Sequence, residues 1–387
     1  MIRGSRMSAT DQLPAAAVTI PRQNGCSTMT VSSAIPEGLS PMQITEVRAV
    51  QPATPNAPRD WRTQLGQILV RVETDGSLHG YGVGGGGAAG IHVIETVLRD
   101  LLIGRDAREV EQLHTEMCRH TCFYGRSGLV VMALSGVDLA LWDLRGKAAG
   151  KPVARLLDPN VEMSRPVPTY LTVFDEHETE AALSAGHHAV KLHVERFGTP
   201  PRVAALADLV KRARDKLGDR GELMIDAFAK WDVASTLQVA AAIQRERVAW
   251  LEEPLPPDDF AGYRQLVLQS PIVIAGGEHE YLASGFRHLV DSRLHAVLQP
   301  DVNWCGGLTT LIEVYRMAQE ANLRVCPHRG CEPFALHAIA ALDQQPLAES
   351  GRRWFNCLDG APRIENGHVF VPDRPGFGVD VDPHIWT

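Results

Sequence analysis

Residues 249–278 read AWLEEPLPPDDFAGYRQLVLQSPIVIAGGE. Two short apolar runs, 249–254 and 272–278, flank an amphipathic stretch over 259–269. Apolar runs of this length, punctuated by Pro and Gly, fit buried strands, and the stretch between them fits a crossover helix. A strand, a helix and a strand in that order make a parallel pair. Each run ends in carboxylate: Glu252 and Glu253 on the first, Glu278 on the second.

The same unit repeats on both sides. Strand-like runs occupy 166–173, 189–194, 223–228, 296–301 and 324–328, at intervals of about 25 residues, with helical patterns over 202–217, 233–246 and 306–322. Seven or eight such units predict a closed barrel rather than an open sheet, and barrels of this kind do their chemistry at the C-terminal ends of the strands. Those ends are charged. The 189–194 run carries Lys191 and His193, which point to one face because they are two apart. Asp226 follows, then Glu252 after 26 residues and Glu278 after 26 more, then Asp301 and His328. One carboxylate at a strand end is as readily a helix cap. Three in succession would repel one another unless a hard divalent cation such as Mg²⁺, which takes oxygen ligands, neutralised them. Asp301 and His328 end successive strands, so the carboxylate can fix the imidazole tautomer and raise its basicity.

Before residue 165 the rhythm differs. Strands over 43–52, 67–74 and 79–83 precede helices over 91–104, 107–120 and 128–146, an α+β unit. Between them lies YGVGGGGAAG (81–90), in which Gly82, Gly84 and Gly87 match G-x-G-x-x-G. A dinucleotide site needs that motif inside a parallel βαβ unit with an acidic strand end about 20 residues on. Here the strands read as antiparallel, so a nicotinamide dehydrogenase is a less favoured function; a catalytically silent binding barrel is least favoured, because the strand-end acids and His328 are all present. The run reads instead as a mobile loop over the barrel mouth.

The bulk numbers exclude other classes. The chain has 387 residues, 44% hydrophobic and 22% charged, with a net charge of −8. Nothing there predicts nucleic-acid or membrane binding, and an anionic substrate would need a local cation. The 7 cysteines are odd in number and form no CxxC pair, which fits reduced thiols in the cytoplasm. Cys118 and Cys122 alone make no metal site. Residues 1–42, polar and without the apolar core of a secretory signal, read as a tail.

Together these features resemble the mandelate racemase subgroup of the enolase superfamily, most closely its rhamnonate and related sugar-acid dehydratases. The resemblance rests on 127–147 (SGLVVMALSGVDLALWDLRGK), 250–257 (WLEEPLPP), 276–279 (GGEH), 298–314 (LQPDVNWCGGLTTLIEV), 326–328 (CPH) and 374–381 (RPGFGVDV). It implies an α/β protein whose modified TIM barrel, (β/α)₇β, over 161–350 is covered by an α+β capping domain over 43–160, with 351–387 packing back on the cap. Asp226, Glu252 and Glu278 match the Mg²⁺ ligands, His328 and Asp301 the base dyad, and Glu349 the acid opposite the metal. Lys191 matches the lysine on the substrate carboxylate; Arg59, Arg62 and His279 are further implied substrate contacts. The sequence departs from the subgroup in two places. Lys-Leu-His puts His193 where a second lysine is usual, which leaves His193 as a second acid/base, a substrate-binding group or a bystander. Arg329 and Glu332 stand where small or hydroxyl residues are expected, a departure that points to altered substrate specificity. The implied activity is dehydration of an aldonate to a 2-keto-3-deoxy acid, with a racemase or epimerase as the near alternative. A small-molecule sugar acid is the implied partner, and a homo-oligomer, dimer or octamer, the implied assembly.

Overall fold

The computed structural model describes residues 41–52, 64–350 and 358–386. Arg59 and Arg62 lie outside them. Among the described residues no helix is long and apolar enough to cross a membrane.

The N-terminal unit is a three-stranded antiparallel sheet, β1 (Ile44–Val50), β2 (Ile68–Thr74) and β3 (His79–Gly84), packed under helices. Helix α1 runs from Gly87–Val93 through a π-helical turn at Ile94–Leu98 into Arg99–Leu102; α2 is Val110–Thr121, α3 is Leu129–Ala148 and α4 is Val153–Leu157. Residues 133–146 of α3 are buried without a break, as expected of a helix that is apolar on every side.

The glycine run is not a loop. It supplies most of β3 and the first turn of α1, and it is the seam on which α3 lies. A Cβ at Gly80 would stand 2.0 Å from the Ala140 carbonyl oxygen, one at Gly82 2.1 Å from that of Gly136, and one at Gly84 2.5 Å from that of Met132. Every second residue of the strand thus meets every fourth residue of the helix, which is how periods of 2 and 3.6 run alongside each other. Only glycines admit the helix backbone so close to the strand.

The second unit is a ring of parallel strands. β4 (Val167–Val173), β5 (Ala189–His193), β6 (Glu222–Asp226), β7 (Leu251–Glu252), β8 (Ile274–Gly276), β9 (Val297–Leu298) and β10 (Arg324–Val325) pair in that order, and β11 (Ala348–Glu349) pairs with the far side of β4. Cys331 N–H donates to the Glu349 carbonyl (2.8 Å), bridging the segment after β10 to β11. Seven helices link the eight strands: α5 (Glu176–Ser184), α6 (Val203–Leu217), α7 (Val233–Ile243), α8 (Phe260–Gln269), α9 (Leu282–Asp291), α10 (Gly307–Ala321) and α11 (Pro333–Leu342). The fold is therefore (β/α)₇β, as the sequence predicts. Strands β7 to β10 are shorter than the apolar runs that mark them. Pro254, Gly277, Pro300 and Pro327 stop them, because proline lacks the ladder donor and glycine turns the chain.

The two units share hydrogen bonds. Gly306, at the start of α10, has no capping side chain of its own. Ser135 and Asp138 of α3 supply the cap from outside: Gly306 N–H donates to Ser135 Oγ (2.9 Å), Thr309 N–H and Oγ1 to Asp138 (3.0 and 2.6 Å). His337 of α11 accepts from Ala154 N–H at Nδ1 (3.0 Å), and its Nε2 lies 3.3 Å from the Phe377 carbonyl. Asp143 of α3 accepts from Tyr81 N–H and Phe377 N–H, both at 2.9 Å, and pairs with Lys147 at 2.7 Å. The C-terminal segment also forms a hairpin, β12 (Ile364–Glu365) with β13 (His368–Val369), that adds to the outer side of β4.

Substituting Gly82→Ala should lower the unfolding free energy by about 3 kcal/mol, the upper range for overpacking. Gly76→Ala is the control, because its Cβ would meet only Thr74 Oγ1, at 3.8 Å. Urea midpoints of the two variants check this; equal midpoints would remove the seam argument.

Candidate active site

Parallel pairing in register lines up the strand ends. His193 on β5, Asp226 on β6 and Glu252 on β7 are successive cross-strand partners, and Glu349 on β11 stands beside Tyr170 on β4. Neighbouring strands lie about 4.8 Å apart, so the register alone sets these groups side by side. Glu278, Asp301 and His328 leave the next three strand ends within a residue or three. The turns at this rim are strained. Phe228, Ala229, Glu253 and Arg329 have φ of 55°, 53°, 34° and 56°, a region that side chains with a Cβ rarely adopt and that clusters at working sites.

Lys191 sits beneath the rim with its side chain 2% exposed. Its Nζ bonds Glu252 Oε1, lies 2.9 Å from Glu349 Oε1 and 3.9 Å from Asp226 Oδ2, and stands 5.7 Å from the centre of the Tyr170 ring. The other oxygen of Glu252 accepts from Trp250 Nε1 (3.2 Å) and Gln299 Nε2 (2.6 Å). Burial pushes Glu252 up to about 8 and Asp226 up to about 6, with the Lys191 charge opposing both shifts. Glu349 moves the other way, to about 2. Burial again pushes it up, but Lys191, His328 and the Arg329 amide outweigh that.

His328 is the second centre. Its Nδ1 is 2.8 Å from Asp301 Oδ2; its Nε2 is 3.1 Å from Glu278 Oε2 and 3.9 Å from Glu349 Oε2. Burial pulls the imidazole down, while the Glu278 charge and the Asp301 bond raise it above its ordinary value. Asp301, wholly buried, is held well below the usual carboxylate range: burial pushes it up, and Arg329 and His328 more than offset this. Trp304 lies beside His328 at 5.9 Å between ring centres and beside His279 at the same distance. Over Trp304 comes the glycine turn of the cap, where a Cβ at Gly85 would stand 3.2 Å from Trp304 Nε1.

His193 is on the opposite wall. Phe174 and Phe228 flank its ring at 5.3 and 5.2 Å, and its Nε2 is 3.9 Å from Asp226 Oδ2. Burial, and then Lys191, lower its pKa.

A model of the enolase C-terminal domain-like family matches residues 175–385, and one of the mandelate racemase/muconate lactonizing enzyme N-terminal domain matches 44–158. The chain belongs to this family. A protein of Caldivirga maquilingensis named "Putative L-rhamnonate dehydratase" is 33% identical over 333 residues, 82% of each chain. The solved 3,6-anhydro-D-galactonate cycloisomerase of Zobellia galactanivorans is 29% identical, with a TM-score of 0.78 over 88% of this chain and 97% of that one. The L-talarate dehydratase of Polaromonas sp. JS666, solved with Mg and L-glucarate, is 28% identical, with a TM-score of 0.78 over 89% and 96%.

The site holds two groups that sequence reasoning did not assign, Glu253 and Thr172, and one, Arg329, whose place differs from the specificity role the sequence suggested. Glu253 is buried and bonds His279 Nδ1 at 2.8 Å, and burial notwithstanding, that bond and charge lift His279 to about 9. Glu253, Glu278 and His279 bring ligand atoms within 4.8 Å of one another, a donor set that shares Glu278 with the expected trio. Thr172 Oγ1 donates to Glu349 (3.0 Å). Arg329 does not face the mouth as a specificity group would; it turns inward onto Asp301. The i, i+1 pair Glu252–Glu253 could have signalled the first, since it puts a second carboxylate at the same strand end. The fingerprint reading of the glycines also fails in space. The Gly86 and Gly87 amides donate to the Leu65 and Gly66 carbonyls (3.0 and 2.9 Å), so these donors are not left for a pyrophosphate.

Lys191→Gln should destabilise the protein, measured in EDTA, by about 3 kcal/mol, and more at pH 8.5 than at pH 5.5. Asp226 and Glu252 have folded pKa values above those of the unfolded chain. Their contribution is therefore full below about pH 4 and is lost as pH rises through 6 and 8, and losing the lysine steepens that fall. Thermal midpoints at the two pH values test the sign.

Proposed function

We propose that this protein is a Mg²⁺-dependent sugar-acid dehydratase that acts on an aldonate such as rhamnonate. The observation that carries the reading is the His328–Asp301 pair at 2.8 Å, with Nε2 turned to the carboxylate-lined mouth, 3.1 Å from Glu278 Oε2. Asp226, Glu252 and Glu278 would hold the metal. Their all-oxygen donor set suits a hard cation, and the burial that pushes Asp226 and Glu252 toward their neutral forms is the penalty such a cation relieves. Mg²⁺ bound there supplies positive charge to a substrate carboxylate on which electron density builds.

The chain's own groups divide the proton work. With Nδ1–H donated to Asp301, His328 presents Nε2 as the base for the proton on the carbon next to the substrate carboxylate. The imidazolium that results lies against Asp301, which stabilises it. The 3-hydroxyl then leaves as water, taking a proton from that imidazolium or from His193 on the other wall, and the enol product tautomerises to the 2-keto-3-deoxy acid. Lys191 and Glu349 address the carboxylate from below, and His279, Arg59 and Arg62 are proposed contacts for the rest of the sugar chain. One observation favours the second reading, epimerisation of a 2-hydroxy acid: two imidazoles, His193 and His328, stand on opposite walls.

A panel of aldonates and aldarates with Mg²⁺ separates the two. Dehydration predicts 2-keto acid formation, with L-rhamnonate among the substrates. Deuterium uptake from D₂O with no 2-keto acid would establish the epimerase instead. His328→Asn should lower turnover by about 10³-fold while the Mg²⁺ titration stays unchanged, and full activity in that variant would refute the proposal.

A further inference from the structure

Directly after the proposed base the chain places an arginine that is 1% exposed and has φ of 56°. Its guanidinium donates to Asp301 Oδ2 through Nε (3.0 Å) and through Nη2, and lies over the Trp304 ring at 5.0 Å. Its main-chain N–H donates to Glu349 Oε2 (2.9 Å). One residue therefore grips both Asp301, which accepts from His328 Nδ1, and Glu349, which lies 3.9 Å from His328 Nε2. Asp301 Oδ1 is fixed separately by Asn303 N–H at 2.9 Å.

The geometry has a mechanical meaning. A carboxylate bonded to one imidazole can swing about its Cβ–Cγ bond and let the ring tilt. Here Nε and Nη2 of Arg329 both close on Oδ2, the oxygen that accepts from His328, while Asn303 N–H holds Oδ1, so both oxygens are pinned and the carboxylate plane is set. Trp304 beneath the guanidinium stops it from sliding, and Trp304 also borders His328. The left-handed backbone at Arg329 makes both grips simultaneous, because it turns the side chain inward to Asp301 while the amide points to β11.

We propose that Arg329 is a positioning residue for the reaction: through Asp301 it fixes the plane of the His328 ring, and through its amide it holds Glu349 in place. The inference rests on the reading of His328 as the base.

The test uses the full chain with Mg²⁺ and the panel substrate turned over fastest, or deuterium exchange of L-rhamnonate if no 2-keto acid forms. Arg329→Gln should lower kcat by about 10- to 100-fold, the scale of a displaced catalytic group, with KM and Mg²⁺ affinity nearly unchanged. Millimolar guanidinium should restore part of the lost rate in Arg329→Ala, a rescue that general loosening of the fold would not show. Asp301→Asn combined with Arg329→Gln should be no slower than Asp301→Asn alone, because the two act in series. If Arg329→Gln does not fold, Arg329→Lys, which keeps the charge but loses the fork, should still fall in kcat. Wild-type kcat in the folded variants, no rescue, or multiplicative losses in the double variant would each overturn the inference. An active His328→Asn enzyme would remove the base assignment and this proposal with it; an inactive His328→Asn beside a normal Arg329→Gln would remove only this proposal.

Discussion

Lys191, sealed under the mouth among Glu252, Glu349 and Asp226, is the contact on which this end of the molecule turns. One ammonium cannot balance those three and Glu278 as well. In a medium of low polarizability each uncompensated charge costs several kcal/mol. The site answers in two ways. It lets Asp226 and Glu252 take up protons more readily than usual, and it holds Glu349 and Glu278 ionised against positive neighbours. A mouth so built has a standing surplus of negative charge directed inward, which is the electrostatic condition for attracting a small multivalent cation and, through it, an acid that the bare protein would repel.

The cap answers a different constraint. Its inner helix must lie close enough to its own sheet for Gly85 to reach Trp304 at the barrel rim. That closeness comes from deleting side chains, not adding them: Gly80, Gly82 and Gly84 clear one groove, and Gly136 clears the facing ridge. The roof over the proposed base is thus continuous with the packing of the cap strand on its helix.

What the sequence revealed and what it hid follow from range. Strand-end carboxylates were legible because a period of about 25 residues and the barrel rule together fix which end of each strand is chemical. The pairing of Asp301 with His328 was legible for the same reason, since both end neighbouring strands. The role of Arg329 was not. Whether a residue after a strand turns inward or outward depends on one backbone angle, and nothing local announces that an arginine will adopt φ of 56°. The glycine run was misread because its density suggests freedom of motion, whereas its spacing of two matches a strand. Reading that alternation against the Met132, Gly136 and Ala140 spacing of four would have found the seam. Arg59 and Arg62 lie outside the described residues.

The borrowed cap of α10 has a consequence for how the molecule is assembled. The barrel helix that follows Asp301 begins on donors that Ser135 and Asp138 satisfy, residues made some 170 positions earlier in the chain. α11 likewise leans on Ala154 and on Phe377, far to either side of it. Neither half can be finished without the other. The loop bearing Asp301, Asn303 and Trp304 runs directly into that helix start, so the docking of the first unit and the shape of this wall of the mouth are joined through the same hydrogen bonds.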